Sequence, residues 1–298
     1  MGVSDFSIIW LFIHSIGISM GMVFGTAGIP LRCEGGTLEG MQCVSDLKLK
    51  AMELEFVHSV NLKEEGAKKV ADTAGKLGLV LSVHAPYYIN LLSEEKHKRD
   101  ASRMRIAESC RIGGIASASR IVFHPAFYGK MEKGKALEEM KVQISMILDE
   151  LEERKVGDVV LAPEVMGKVS QFGTIGENFS LSAEFGIGSV NPCIDFGHLH
   201  ARTNGGLKKK SDFAAILDEV GGYGKKYLQT LHIHFEGINY TEKGERNHLP
   251  ISSNSPDFSL LAEALVEKGC SGTIICESPE LENDALKMKE IYEGILKG

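Results

Sequence analysis

The chain has 298 residues, 43% of them hydrophobic, and a formal net charge of −7. That is enough for one large domain with a full core, and the acidic balance excludes a protein coated in basic residues for nucleic acid; polyanion binding is left to a local patch or to bound cations. Six cysteines form no Cys-x-x-Cys pair and no regular framework, which argues against a zinc ribbon or a disulfide scaffold and for a reducing, cytoplasmic setting.

Residues 6–24 are strongly apolar, yet the first basic residue of the chain is Arg32, so the positive region of a secretory signal is missing. His14 and several Ser and Gly residues weaken a membrane-spanning reading. Residues 1–22 are therefore expected to form an apolar leader, and 23–298 a single domain, because no Pro/Gly/Ser-rich linker or charge shift divides them.

In chain order, short runs rich in Val, Ile and Leu predict strands near 23–27, 51–57, 79–83, 120–124, 159–163, 191–195, 228–234 and 273–277. Helical periodicity fills the gaps: Leu137, Met140, Ile144, Ile147 and Leu151 recur at three- and four-residue steps, as do Ala285, Met288, Tyr292 and Ile295. Roughly eight βα units in about 250 residues is the rhythm of a closed (β/α)8 TIM barrel.

Six of these runs finish on a metal-capable side chain: His84, His124, Glu164, Asp195, the pair His232/His234, and Glu277. Burying such groups unpaired costs several kcal/mol. In a barrel all strand ends meet at one rim, so a shared metal site there explains the whole set, whereas a single His at a strand end would read as a satisfied structural group. A His, Asp and Glu constellation without Cys suits Zn, Mn, Fe or Co. Three imidazoles (His84, His124, His232) and three carboxylates (Glu164, Asp195, Glu277) would saturate two ions sharing a carboxylate, an arrangement suited to displacement at phosphorus. His198, three residues beyond Asp195, adds another imidazole.

From about residue 23 to the end the sequence resembles the endonuclease IV family, the metal-dependent apurinic/apyrimidinic endonucleases among the xylose-isomerase-like barrels. The motifs that carry the resemblance are His84-Ala-Pro-Tyr87-Tyr-Ile-Asn90, Phe123-His124-Pro125, Pro163-Glu164, Cys193-Ile-Asp195-Phe-Gly-His198, Leu231-His232-Ile-His234 and Ile275-Cys-Glu277-Ser-Pro. The resemblance implies a zinc enzyme with two or three ions, Mn2+ being the alternative, that hydrolyses the phosphodiester 5′ to abasic sites in DNA. It implies a monomer with abasic DNA as partner and no membrane partner. His84 and His124 would hold one ion, with Glu164 bridging to a second completed by Asp195, His232 and Glu277; His234 is the alternative to His232 in register. Glu164, Asp195 and Glu277 would be the catalytic carboxylates, and Tyr87 would contact DNA.

For a third ion the family pairs an imidazole like His198 with an Asp-x-His segment. The matching stretch is Gly244-Glu245-Arg246-Asn247-His248, which puts Glu245 and Asn247 at those positions and leaves His248 one residue out of step. The Arg- and aromatic-bearing loop after strand two is also missing; the chain has Phe56-Val-His58-Ser-Val-Asn61 there. A second reading within the same superfamily is a sugar isomerase or epimerase. It needs one ion, which Glu164, Asp195, His232 and Glu277 would hold, and leaves His84 and His124 without a role as ligands.

Overall fold

The computed structural model describes residues 21–298; the predicted leader falls, but for its last two residues, outside them. Eight parallel strands form one sheet: β1 Met22–Ala27, β2 Ala51–Glu55, β3 Val80–His84, β4 Arg120–Phe123, β5 Val160–Pro163, β6 Cys193–Asp195, β7 Leu231–Phe235 and β8 Gly272–Cys276. Their order is β5-β4-β3-β2-β1-β8-β7-β6, and the bridges Leu161↔Val190 and Glu164↔Cys193 join β5 to β6 and close the barrel. Every predicted strand is present. Met22 already pairs with Gly272, so the barrel starts one residue inside the expected leader. The seventh strand begins at Leu231 rather than 228 because Lys225–Leu228 is a helical turn.

Apolar packing lies between the sheet and the helices. Met140, Ile144, Ile147 and Leu151 are buried along helix Lys133–Glu153, and Ala285, Met288 and Tyr292 along Glu282–Lys297, as their spacing predicts. Fully burying a large aliphatic side chain contributes about 1.5–3 kcal/mol, so this outer layer supplies the stability. The barrel interior differs. Its apolar residues form a separate small cluster of Val122, Ala162 and Cys193, and strand pairing sets Glu53 beside Ser82 and Cys193 beside His232 in the same interior.

Cys33 and Cys43 form a disulfide, with Cα atoms 6.4 Å apart, a single local pairing that the reading of a reducing setting did not anticipate. The tether is local, joining the loop after β1 to helix Thr37–Asp46. A separation of ten residues carries no recognisable motif, so only the fold of the loop reveals the pairing. Cys276 is free and buried.

Candidate metal centre

Side chains alternate across a strand with period two. On β3 to β6 that parity turns Ser82 and His84, Val122 and His124, Ala162 and Glu164, and Cys193 and Asp195 inward. On β7 it turns three residues inward, His232, His234 and Glu236, and on β2 it does the same for Glu53 and Glu55. The polar member of each pair lies toward the C-terminal rim.

Glu164, fully buried, stands at the centre. One oxygen, Oε2, faces His84 Nε2 at 3.3 Å and His124 Nε2 at 3.0 Å. The other, Oε1, faces His198 Nδ1 at 3.2 Å and His234 Nδ1 at 3.4 Å. Glu277 is similarly divided, Oε1 lying 3.1 Å from His234 Nδ1 and Oε2 3.9 Å from His248 Nδ1. Among the described residues five groups of donor atoms result, the atoms of each within 4.8 Å of one another: His84, His124 and Glu164; Glu164, Asp195, His234 and Glu277; His198, Glu245 and His248; Glu236, His248 and Glu277; and, deeper, Cys193, His232 and His234.

Backbone carbonyls set the tautomers of three imidazoles. Carbonyls only accept, so Nδ1–H of His84 donates to Ala85 O (2.9 Å), that of His198 to Val165 O (3.0 Å) and that of His248 to Glu277 O (3.0 Å). Nε2 of each is thereby the nitrogen turned into the site, the one that can bind a metal once it gives up its proton. Asp195 also caps helix Phe196–Arg202, its Oδ1 accepting from His198 N at 2.6 Å, and so fixes where His198 enters the site.

Charge is crowded here. Burial opposes ionisation of Glu164, yet the imidazoles of His124, His198 and His234 hold its carboxyl well below the usual range. Burial would likewise raise Glu277, but His234 keeps it down at about 2. Asp195 is pushed up to about 7 by burial, against the pull of His198. Buried oxygens of Glu53, Glu55, Glu164, Asp195 and Glu236, and both nitrogens of His234, lack a hydrogen-bond partner. So many orphaned donors in one enclosed place fit a cation-binding site, where bound ions satisfy what protein groups do not.

The structure sets two of the expected ligands apart from the groups around Glu164 and His198. His234, not His232, meets Glu164 and Glu277. His232 sits one strand repeat deeper, where its Nε2 reaches Glu53 Oε2 at 3.1 Å and Ser82 Oγ donates to the same oxygen at 2.6 Å. Asn247 is exposed and makes its contacts with Asn239 and the carbonyl of His248, outside the site. The reason is a bulge. In the ribbon of strands Gly237–Thr241 and Gly244–Leu249, Tyr240 pairs with Glu245 but Asn239 with Asn247, leaving Arg246 as an extra residue. The bulge flips the alternation, so Glu245 and His248, three apart, share the inward face.

Sequence reasoning missed Glu53, Glu55 and Glu236. The signal for the first two is the alternation of carboxylates in Ala51-Met-Glu-Leu-Glu55, which a solvated strand face would show equally. Burial pushes Glu55 up to about 8, in spite of the neighbouring His84. Glu236 follows Phe235 in the sequence and looks like the start of a loop. Tyr87 is half exposed at the rim, its ring 5.7 Å from that of His84 and 5.8 Å from that of His124.

A parallel eight-stranded barrel with imidazoles and carboxylates converging at the C-terminal ends of its strands defines a (β/α)8 protein whose rim could hold metal ions. Residues 41–294 match the family described as xylose isomerase-like TIM barrel, and the chain belongs to that family. It is 39% identical over 275 residues to an uncharacterized protein of Methanocaldococcus jannaschii, covering 92% of this chain and 98% of that one. It is 25% identical over 218 residues to a probable endonuclease 4 of Mycobacterium leprae, covering 70% and 77%. Among solved structures it superposes on a D-tagatose 3-epimerase-like protein with a TM-score of 0.70 at 19% identity, covering 93% and 97% of the two chains. Endonuclease IV of Thermus thermophilus gives 0.68 at 16%, covering 91% and 99%. No helix among the described residues is long and apolar enough to cross a membrane.

Proposed function

We propose that this protein is a divalent-metal phosphodiesterase that incises DNA on the 5′ side of abasic sites, with Zn2+ as the cation and Mn2+ as the alternative. The observation that carries the reading is the division of Glu164, one oxygen turned to His84 and His124 and the other to His198 and His234. A single-ion sugar epimerase needs only the group of Glu164, Asp195, His234 and Glu277 and has no use for two further clusters. Likeness to the probable endonuclease 4 of Mycobacterium leprae supports the same reading.

Bound cations would neutralise charge on the phosphoryl oxygens and activate the attacking water. The chain's own residues do the placing. Glu164 and Glu277 each span two clusters and so fix their spacing, and His84, His198 and His248 present Nε2 because backbone carbonyls hold their other nitrogen. Glu277, the one carboxylate of the central group that is not fully buried, would be placed to take the proton released from the water. Tyr87 beside His84 and His124 offers a face for a base or sugar flanking the scissile phosphate.

The test is strand incision. Metal-loaded protein is given a duplex with one stable abasic analogue, an intact duplex, and a chelator-treated control. Chelator-sensitive nicking confined to the 5′ side of the lesion is expected. Folded, metal-bearing protein that leaves the lesion duplex intact but interconverts ketose epimers would replace this reading with the sugar one.

A further inference from the structure

Glu236 belongs to no ligand pattern read from the sequence, and its surroundings are unusual. It follows His234 by two residues, so β7 turns both to the interior. It is fully buried, and neither of its oxygens has a hydrogen-bond partner among the described residues. An unpaired buried carboxylate is costly, and nothing in the fold offsets it.

Room for this group is made by a neighbour. A Cβ at Gly197 would come within 1.7 Å of Glu236 Oε1, so any larger residue there would displace the carboxylate. On its open side, a donor atom of Glu236 lies within 4.8 Å of those of His248 and Glu277. That triple shares His248 with the one formed by His198 and Glu245. The two triples that share His248 together hold three carboxylates and two imidazoles, whereas the cluster on the far side of Glu164 has two imidazoles and one carboxylate.

We propose that Glu236 is a ligand of the cation on the ribbon side of the site, together with Glu277, His248, Glu245 and His198, and that this position selects a hard, six-coordinate cation of the Mn2+ type over tetrahedral zinc. Donor number and softness decide the preference: carboxylate-rich shells suit Mn2+, and small imidazole-rich ones suit Zn2+. The inference rests on the reading of the site as one for several cations, and it does not depend on what the substrate is.

The experiment counts ions. Apo-protein is titrated with Mn2+ in the presence of saturating Zn2+, bound Mn2+ being followed by electron paramagnetic resonance, total metal by elemental analysis, and folding by circular dichroism. In the unaltered protein one Mn2+ is expected to remain bound against zinc. Glu236→Gln is expected to weaken that ion at least about tenfold while leaving the zinc content unchanged. Gly197→Ala, which alters no donor, is expected to do the same by displacing the carboxylate. An unaltered protein that exchanges all its Mn2+ for Zn2+, or a folded Glu236→Gln variant with undiminished Mn2+ affinity, overturns the proposal. Incision measured on the unaltered protein keeps the two readings apart, because its absence removes the endonuclease assignment and leaves the Mn2+ count standing.

Discussion

The two flanks of the metal centre are built differently. On one side His84, His124 and Glu164 stand at the ends of adjacent barrel strands, and strand parity alone directs them inward. On the other side Glu245 and His248 ride on a two-stranded ribbon outside the barrel, and a bulge at Arg246 is what turns both toward His198. A ligand set by the barrel is fixed by the whole sheet. One set by a ribbon depends on a single local irregularity, so its spacing and donor chemistry drift more easily.

The comparison breaks most completely at the residue common to both flanks. Glu164→Ala removes an oxygen from each side, and incision is expected to fall by about 10^3-fold or more, the scale of several kcal/mol of lost charge stabilisation. Elemental analysis should show the loss of more than one ion. Retention of the full metal content would show that the carboxylate does not bridge.

A sharper test acts on the ribbon alone. Exchanging the order of Asn247 and His248 (N247H with H248N) carries the imidazole to the exposed face, and the protein is expected to lose one ion with His84, His124 and Glu164 unaffected. Deleting Arg246 instead removes the extra residue and regularises the alternation with Glu245 and His248 still inward, so the ion count should not change. If the deletion loses the ion and the exchange keeps it, the bulge is not what places His248.

Protonation gives a smaller effect. Asp195, a donor of the central group, holds its proton up to about 7 because burial opposes its charge. Cation uptake favours its ionised form and must expel that proton, so affinity is expected to rise with pH by up to about tenfold per unit below about 7 and to lose this contribution above it. Calorimetry in buffers of different ionisation enthalpy measures the release directly. Smallest of all, Tyr87→Ala is expected to weaken lesion-duplex binding by about 1–3 kcal/mol, the usual worth of one base stacked on an aromatic ring, with the metal content intact.

Legibility in the sequence follows the same division. Apolar runs placed all eight strands, because a strand buried on both faces by helices must read as a continuous hydrophobic segment. His84, His124, Glu164, Asp195 and Glu277 stood out as polar endings to those runs. His232 and His234 could not be ranked, since residues two apart on a strand face the same way and only depth in the barrel separates them. Glu53 and Glu55 were hidden by a strand in which apolar and acidic residues alternate, a pattern equally suited to a solvated face. The bulge at Arg246 left no motif, because it is a property of pairing with Asn239 and Tyr240 rather than of the segment itself. The Cys33–Cys43 disulfide likewise depends on how one loop returns to the helix after it.

Anomalous diffraction from crystals grown with Zn2+ and Mn2+ tests the central claim most directly, since it locates each ion and identifies the element. Three peaks are predicted: one beside His84 and His124, one among Glu164, Asp195, His234 and Glu277, and one beside His198 and His248. A single peak in the middle position, with the flanking imidazoles unligated at saturating metal, would contradict the account and return the site to single-ion chemistry.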